Sequence, residues 1–270
     1  MGIIKGVLLV LVSVTLFLSL FCTALFLTLS SSLIYENVQE ESVTVLGDLL
    51  GTTELTGAVT AIIPTMQLYC QNNTNSSYVF SEAGYTMSIP CSSVSQGEDA
   101  IINEMIKNLV DVVYYTNYDD CNFWDCGGDS GLPMFLVSKK AHDYWDSKFY
   151  LLLGISLILI LASFFLIGKK TTTPILVGIL SVIVSIPFLN LTSLFSLFLD
   201  PTIAQLLNIF FSQSFNVSLN FLIIGIILIL AGIVFKIFKI GFFISNIFSK
   251  FQTKGKSDSP ASKKTKDKSK

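Results

Sequence analysis

Four long apolar runs constrain this chain more than any other feature of its sequence. They cover residues 6–30, 149–168, 175–199 and 217–235, and none of them contains Asp, Glu, Lys or Arg. A helix needs about 20 mostly apolar residues to cross the hydrocarbon core of a bilayer. Only 13% of the chain is charged, against about 25% in soluble proteins. The runs therefore predict an α-helical integral membrane protein with four transmembrane helices.

The third run is interrupted by Pro187 and Asn190. Either one kinked helix fills it, or the helix ends near Asn190 and the chain continues along the surface. Asp200 and Pro201 then supply an N-cap and a proline suited to the first helical position. A short helix is predicted over about 201–213, lying in the outer interface of the membrane. Its apolar stripe consists of Ile203, Leu206, Leu207 and Phe210.

The placement of lysine gives the chain an orientation. Of 17 lysines, 13 lie outside residues 35–148: at Lys5, in the turn at 169–170, and beyond residue 235. With four spans, all of these positions share one side of the membrane, and the positive-inside rule makes that side the cytoplasm. We therefore expect a multi-pass protein of the cell membrane. Both termini are predicted to be cytoplasmic, and residues of about 36–146 extracytoplasmic.

The segment between the first two spans is predicted to form an acidic domain over residues 35–147. Within 35–148 it has 16 Asp and Glu but four Lys. Helical spacing is present over 35–71 and over 96–116, and two short strands are predicted at 78–80 and 85–89. A capping box formed by Ser95 and Glu98 would start the second of these helices. The expected fold is a mainly α (α+β) domain inserted between transmembrane helices 1 (residues 1–34) and 2.

Four of the five cysteines lie in this acidic segment: Cys70, Cys91, Cys121 and Cys126. Cysteines outside the cytoplasm are usually oxidised in pairs. In a structural zinc site, two to four residues normally separate the two ligands of each pair. Cys121 and Cys126 have that spacing, whereas Cys70 and Cys91 are separated by twenty residues. Three disulfide pairings can be drawn, and spacing favours Cys70–Cys91 with Cys121–Cys126. Cys22, in the first span, is predicted to be free.

One motif resembles an enzyme active site. Residues 126–133 resemble the Gly-Asp-Ser-Gly-Gly-Pro nucleophile motif of trypsin-like serine proteases, with Leu132 in place of the second glycine. That chemistry needs a histidine base, and in that family the histidine lies far upstream of the serine, whereas His142 is the single histidine and follows Ser130. The spans also lack the ionisable groups that ion-coupled carriers use. We predict that the protein is not an enzyme and has no cofactor and no metal site.

The loop between Cys121 and Cys126 contains Phe123 and Trp124 among aspartates. These two aromatic residues are the candidate partner-binding residues, because tryptophan is frequent among interface hot spots. The alternative is that both rings fold back onto helix 96–116 or onto lipid headgroups. The nearby aspartates, at positions 119, 120, 125 and 129, do not follow EF-hand spacing.

The C-terminal region is basic. Residues 236–251 have the pattern of an amphipathic cytoplasmic helix after the three-helix region of residues 148–235, and residues 252–270 contain seven lysines. We predict a disordered Lys-rich tail over 252–270 that contacts anionic lipid headgroups. The chain has no arginine, which argues against specific nucleic-acid recognition.

Together these patterns favour a non-enzymatic multi-pass membrane protein. Its extracytoplasmic domain is expected to bind or organise other envelope or cell-surface proteins. The alternative function is a passive channel or transporter without ion coupling. It is suggested by the break at Pro187 and Asn190 and by hydroxyl residues within the spans.

Overall fold

The computed structural model describes residues 2–50, 54–82, 85–118, 123, 133–167 and 170–254. These residues are mostly helical, with one β-hairpin. The α-helices are α1 (Gly2–Ser32), α2 (Tyr35–Leu50), α3 (Glu54–Asn72), α4 (Cys91–Val94), α5 (Glu98–Tyr115), α6 (Lys139–Leu166), α7 (Thr173–Leu189), α8 (Leu191–Phe198), α9 (Pro201–Phe211) and α10 (Ser214–Lys254). Strands β1 (Ser77–Glu82) and β2 (Tyr85–Pro90) form the hairpin, and two 3₁₀ turns cover Pro133–Val137 and Lys170–Thr172.

Within the described residues, three helices are long and apolar enough to cross a membrane. The qualifying stretches are Lys5–Ser32 in α1, Lys139–Leu166 in α6 and Ser214–Phe238 in α10. Helix α7 is apolar but has 17 residues, which is about 25 Å at 1.5 Å per residue. This finding supports the predicted α-helical membrane protein.

Helices α1 and α6 pack side by side in opposite directions. Ser19 Oγ lies 2.8 Å from Ser156 Oγ, and Ser30 Oγ donates to an Asp146 carboxylate oxygen at 3.2 Å. Residue numbers rise along α1 as they fall along α6, so the pair is antiparallel. Side chains of α1 also form a buried apolar cluster with α7: Leu16, Leu20, Ala24, Val177, Val184 and Phe188.

Helices α7 and α10 approach each other through glycine. A Cβ atom on Gly178 would lie 2.6 Å from the Gly225 carbonyl oxygen, and one on Gly225 would lie 2.8 Å from the Gly178 carbonyl oxygen. Farther along, Ser218 Oγ donates to the Ser185 carbonyl at 2.7 Å. This pair is therefore also antiparallel, and small residues permit close contact as they do between transmembrane helices generally.

These pairings place both long connections at one end of the helical bundle. The C-terminus of α1 and the N-terminus of α10 are joined there, because the Gln213 backbone N–H donates to Ser32 Oγ at 3.1 Å. Helix α7 ends at the same level, so the described residues of 35–138 lie at a common end with residues 190–213.

The chain leaves helical geometry at Asn190, whose φ and ψ are −133° and 38°. Pro187 lies inside α7 and does not end it. Of the two predicted arrangements for the third run, the structure has the one in which the helix ends near Asn190. Helix α9 then lies where the apolar stripe predicts a short helix.

The last helix is longer than predicted. Helix α10 continues without interruption from Ser214 to Lys254, so residues 236–251 extend the preceding span instead of forming a separate helix. Residues 236–254 contain no proline, and nothing in them removes a backbone donor. The rest of the predicted tail, residues 255–270, lies outside the described residues.

The segment between α1 and α6 contains the predicted helices and hairpin, with one correction. Gly97 has a φ of 108° and caps α5 without a side-chain hydrogen bond, so the predicted Ser95–Glu98 capping box is wrong. Ser95 Oγ instead donates to the Ser92 carbonyl at 2.7 Å, because Ser95 ends the unpredicted helix α4. In the hairpin, Tyr78 is opposite Ile89 and Phe80 is opposite Met87.

Two apolar cores stabilise this segment. The first joins it to the helical bundle and contains Leu33, Val38, Ile106, Val110, Tyr114, Phe123, Phe135 and Ala141. The second contains Met66, Cys70, Ile89, Cys91, Val94 and Ile101. The first core includes a residue of α6 and one that directly follows α1, whereas the second includes none from either helix.

Candidate functional site

The Cys70–Cys91 disulfide is present in the second core. Its S–S distance is 2.01 Å and its Cα–Cα distance is 5.2 Å. It connects the last turn of α3 with the start of α4, and both cysteines are buried. Cys22 is a free thiol on α1. Cys121 and Cys126 lie outside the described residues, so their predicted disulfide stays a prediction.

Phe123 is buried and lies among aromatic rings of α6 and of the preceding 3₁₀ turn. Its ring stacks on Tyr144 with centroids 4.0 Å apart, and it contacts Trp145 and Phe135 at 5.4 Å and 5.2 Å. Only 7% of Phe123 is exposed. This burial removes Phe123 from the candidate partner-binding residues. Trp124 lies outside the described residues.

A group of tyrosines attaches the segment between α1 and α6 to the end of α1. Tyr114 Oη donates to the Leu33 carbonyl at 3.0 Å. The Tyr35 ring contacts those of Tyr114 and Tyr115 at 5.3 Å each. Burial raises the pKa of Tyr114 to about 12. Burial, and then the Asp111 carboxylate, also raise the pKa of Tyr35.

Beside these tyrosines lies a groove of about 380 Å³, which we call the lysine groove. One wall is the end of α5 with residues 116–118, and the other is the first turn of α6. Its lining residues are Tyr114, Tyr115, Thr116, Asn117, Tyr118, Lys139, Lys140 and Asp143. Sequence reasoning missed this groove, although two adjacent lysines in an acidic segment were a usable signal.

Hydrogen bonds hold several groove residues in place. Lys140 Nζ donates to the Tyr118 carbonyl, and Thr116 Oγ1 donates to the Val112 carbonyl at 2.7 Å. His142 Nδ1 lies 3.1 Å from an Asp143 carboxylate oxygen. The two walls of the groove are therefore connected directly through Lys140.

A second cavity of about 380 Å³ lies beside the disulfide. Its side chains are polar but uncharged, apart from Val94 and the two cysteines: Gln67, Gln71, Thr74, Ser92 and Ser95. Such a lining offers hydrogen bonds but no charged group for acid–base chemistry.

Apolar side chains are exposed near the second core. Leu68 and Tyr69 on α3 are 65% and 41% exposed, and Val79 on β1 is 61% exposed. The Tyr69 ring contacts that of Tyr78 at 5.6 Å, whereas Val79 lies on the opposite face of β1 from Tyr78, because side chains alternate along a strand. We call Leu68 and Tyr69 the apolar patch. Exposed apolar groups of this kind occur at protein contact sites.

Among the residues that the structure describes, no three His, Cys, Asp or Glu side chains come together as a metal site would require. The predicted acidic loop at 119, 120, 125 and 129 lies outside those residues. Comparisons with family models, curated proteins and solved structures found no match. The described surfaces include the lysine groove, a cavity with uncharged side chains and the apolar patch.

Proposed function

We propose that this chain is a non-enzymatic multi-pass membrane protein whose outer domain binds or organises other envelope or cell-surface proteins. The observation that carries the proposal is the apolar patch of Leu68 and Tyr69 on α3. These side chains are exposed on the part of the domain whose core contains no residue of α1 or α6. A disulfide closes this part, so little conformational freedom is lost when a partner binds.

We further propose that α7 crosses the membrane together with α1, α6 and α10. The antiparallel packing of neighbouring helices supports this topology, as does the separation of lysines from the acidic segment. Both termini are then cytoplasmic and residues of about 36–146 extracytoplasmic. Labelling Ser92→Cys and Lys236→Cys variants on whole cells with an impermeant maleimide tests this, with each site identified by peptide mass. Ser92→Cys should be labelled, and labelling of Lys236→Cys alone would reverse the topology.

Lipids are the other proposed partners. The Lys-rich tail is suited to anionic headgroups. Helix α9 is proposed to lie in the outer interface, where Ile203, which is 50% exposed, would contact lipid. Asp200, just before this helix, suits the headgroup region better than the hydrocarbon core.

The channel alternative requires polar side chains along a water-filled path. The buried hydroxyls of Ser19, Thr23 and Ser156 instead lie within 3.4 Å of one another or of a helix carbonyl, at the contact between α1 and α6. Such contacts stabilise helix packing. No described feature favours conduction. Measurable conductance of the purified protein in planar bilayers would support the channel alternative.

Cross-linking in intact cells tests the partner proposal. A photoactivatable amino acid at position 68 should give a discrete product with another membrane or surface protein. The matched control is position 95, because Ser95 is also exposed on the same part of the domain. Absence of any product at position 68, or the same products at both positions, would contradict the proposal.

A further inference from the structure

The lysine groove combines features that the proposed protein-binding role does not use. It lies between the end of α5 and the first turn of α6, and its volume of about 380 Å³ falls within the usual range of small-molecule sites, roughly 300–1,000 Å³. Its tyrosine floor is fixed, because Tyr114 is buried and bonded to the Leu33 carbonyl. A preformed cavity with a fixed floor requires little reorganisation to bind a ligand.

The charge of the groove differs from that of its surroundings. Residues 35–148 contain four lysines and 16 acidic residues, yet two of those lysines, Lys139 and Lys140, line this one cavity. Lys139 is exposed and Lys140 is held beside the Tyr118 carbonyl. Two lysine side chains in the lining of one cavity favour a ligand that carries an anionic group.

The remaining lining residues are suited to a hydroxyl-rich ring. Tyr115 is 56% exposed and offers an aromatic face for the apolar C–H face of a sugar. Asn117 supplies both a donor and an acceptor. The Asp143 carboxylate accepts hydrogen bonds from hydroxyl groups, and it would repel a ligand that carried only negative charge.

We propose that the lysine groove binds a saccharide that carries a carboxylate group. The carboxylate would lie at Lys139 and Lys140, the ring on Tyr115, and ring hydroxyls near Asn117 and Asp143. An acidic protein partner fits less well, because residues 35–148 as a whole contain 16 acidic residues against four lysines, and a protein has a larger footprint than the groove. A small ligand meets mainly the local field, since charges more than about 10 Å away are largely screened at 0.1 M salt.

The position of the groove favours a ligand from the aqueous phase over a lipid headgroup. Lys139 precedes Phe149, the start of the second apolar run, by ten residues of α6, or about 15 Å along the helix. The headgroup layer on each side of a bilayer is only about 5–8 Å thick. A helix close to the membrane normal therefore raises the groove above the headgroups. The proposal does not depend on any protein partner.

Calorimetric titration of the full chain in nanodiscs tests the proposal. The probe is a disaccharide containing glucuronic acid, compared with a neutral disaccharide of the same linkage, acetate and inorganic phosphate. The acidic disaccharide should bind at least about tenfold more tightly than the neutral one, because charge-assisted hydrogen bonds are lost in the latter. Equal affinity for the two disaccharides, or no binding, would overturn the proposal. Equal affinity for acetate or phosphate would show a plain anion site and would also overturn it.

Variants locate the site within the protein. Lys139→Gln should weaken binding of the acidic disaccharide about tenfold and reduce its dependence on salt, while the melting temperature stays unchanged because this side chain is exposed. Lys140→Gln should act similarly on binding, but it removes the bond to Tyr118, so Lys139→Gln is the decisive variant. The control is Lys107→Gln, on α5 and paired with Glu104 at 3.7 Å. Loss of binding in the control, or unchanged binding in Lys139→Gln, would contradict the assignment.

Discussion

At the scale of single residues, the Tyr114 hydroxyl attaches the segment between α1 and α6 to the end of α1. It donates to the Leu33 carbonyl, next to the end of α1, and only 5% of the residue is exposed. Tyr114→Phe leaves that buried acceptor without this donor, so we expect a loss of about 1–3 kcal/mol in the free energy of unfolding. Chemical denaturation in nanodiscs measures it. Tyr115→Phe is the control, because Tyr115 is more than half exposed; an equal loss there would contradict the assignment.

The same residue makes stability depend on alkaline pH. Burial raises the pKa of Tyr114 from 10.0 to about 12, so the unfolded chain loses this proton first. The contribution of the neutral Tyr114 hydroxyl to the free energy of unfolding is complete below about pH 10 and is lost as pH rises through about 12. Unfolding free energies should therefore fall over this window, and less steeply in Tyr114→Phe. Parallel pH profiles for the two proteins would show that Tyr114 does not contribute.

Single residues were predictable where they depend on local chemistry. The Cys70–Cys91 pair follows from cysteines on either side of a hairpin. The role of Phe123 could not be derived, because its stacking partner Tyr144 lies 21 positions away on a helix that was predicted mainly as a membrane span. Two aromatic residues in a short acidic loop are compatible with exposure or burial, and only tertiary packing decides between them.

At the scale of elements, the contact between α7 and α10 depends on glycine. A side chain at Gly178 would meet the Gly225 carbonyl oxygen at 2.6 Å and Ile229 atoms at 2.7 Å and 2.9 Å. We expect Gly178→Val to separate the helices and to destabilise the protein by about 1–3 kcal/mol. A Ser185→Cys/Ser218→Cys pair reports the separation, because these residues are hydrogen-bonded and should cross-link less in the variant.

Gly154 offers a matched control for this contact. It lies within α6, and a Cβ atom there would have nothing within 4 Å. Gly154→Val should therefore leave both the cross-linking yield and the unfolding free energy close to those of the parent. If Gly178→Val cross-links as efficiently as Gly154→Val, the close approach of α7 and α10 is not essential.

Sequence periodicity predicted the helices better than their ends. The apolar runs and the stripe at 203–210 identify most of the bundle, because burial in lipid or against a neighbour requires those patterns. Helix α4 was not predicted, since four residues carry too little periodicity. The sequence predicts residues 236–251 as a helix of their own because lysines begin at 236. Charged residues favour water over lipid around a helix, but they do not end it.

At the scale of the whole molecule, the two cores of the segment between α1 and α6 should respond differently to loss of the disulfide. Replacing Cys70 and Cys91 by serine should cost about 2–4 kcal/mol. The loss should appear as faster amide exchange in α3 and the hairpin, which surround the second core. Exchange near Leu33, Val38 and Phe135 should change less, because they belong to the first core.

Cys22→Ser is the control for the disulfide variant. Its thiol is free and lies on α1, so the exchange pattern of the outer domain should stay as in the parent. Uniformly faster exchange throughout the outer domain of the double variant would contradict two separable cores.

The first core has a mechanical consequence. Buried side chains of α2, α5 and α6 surround Leu33 without a flexible linker between the end of α1 and the start of α2, and Phe26 of α1 contacts Trp145 of α6 at 5.2 Å. A tensile load applied at the apolar patch is therefore carried through this core into α1 and α6 together. We expect that pulling on the segment between α1 and α6 changes the tilt of both helices before it extends the chain.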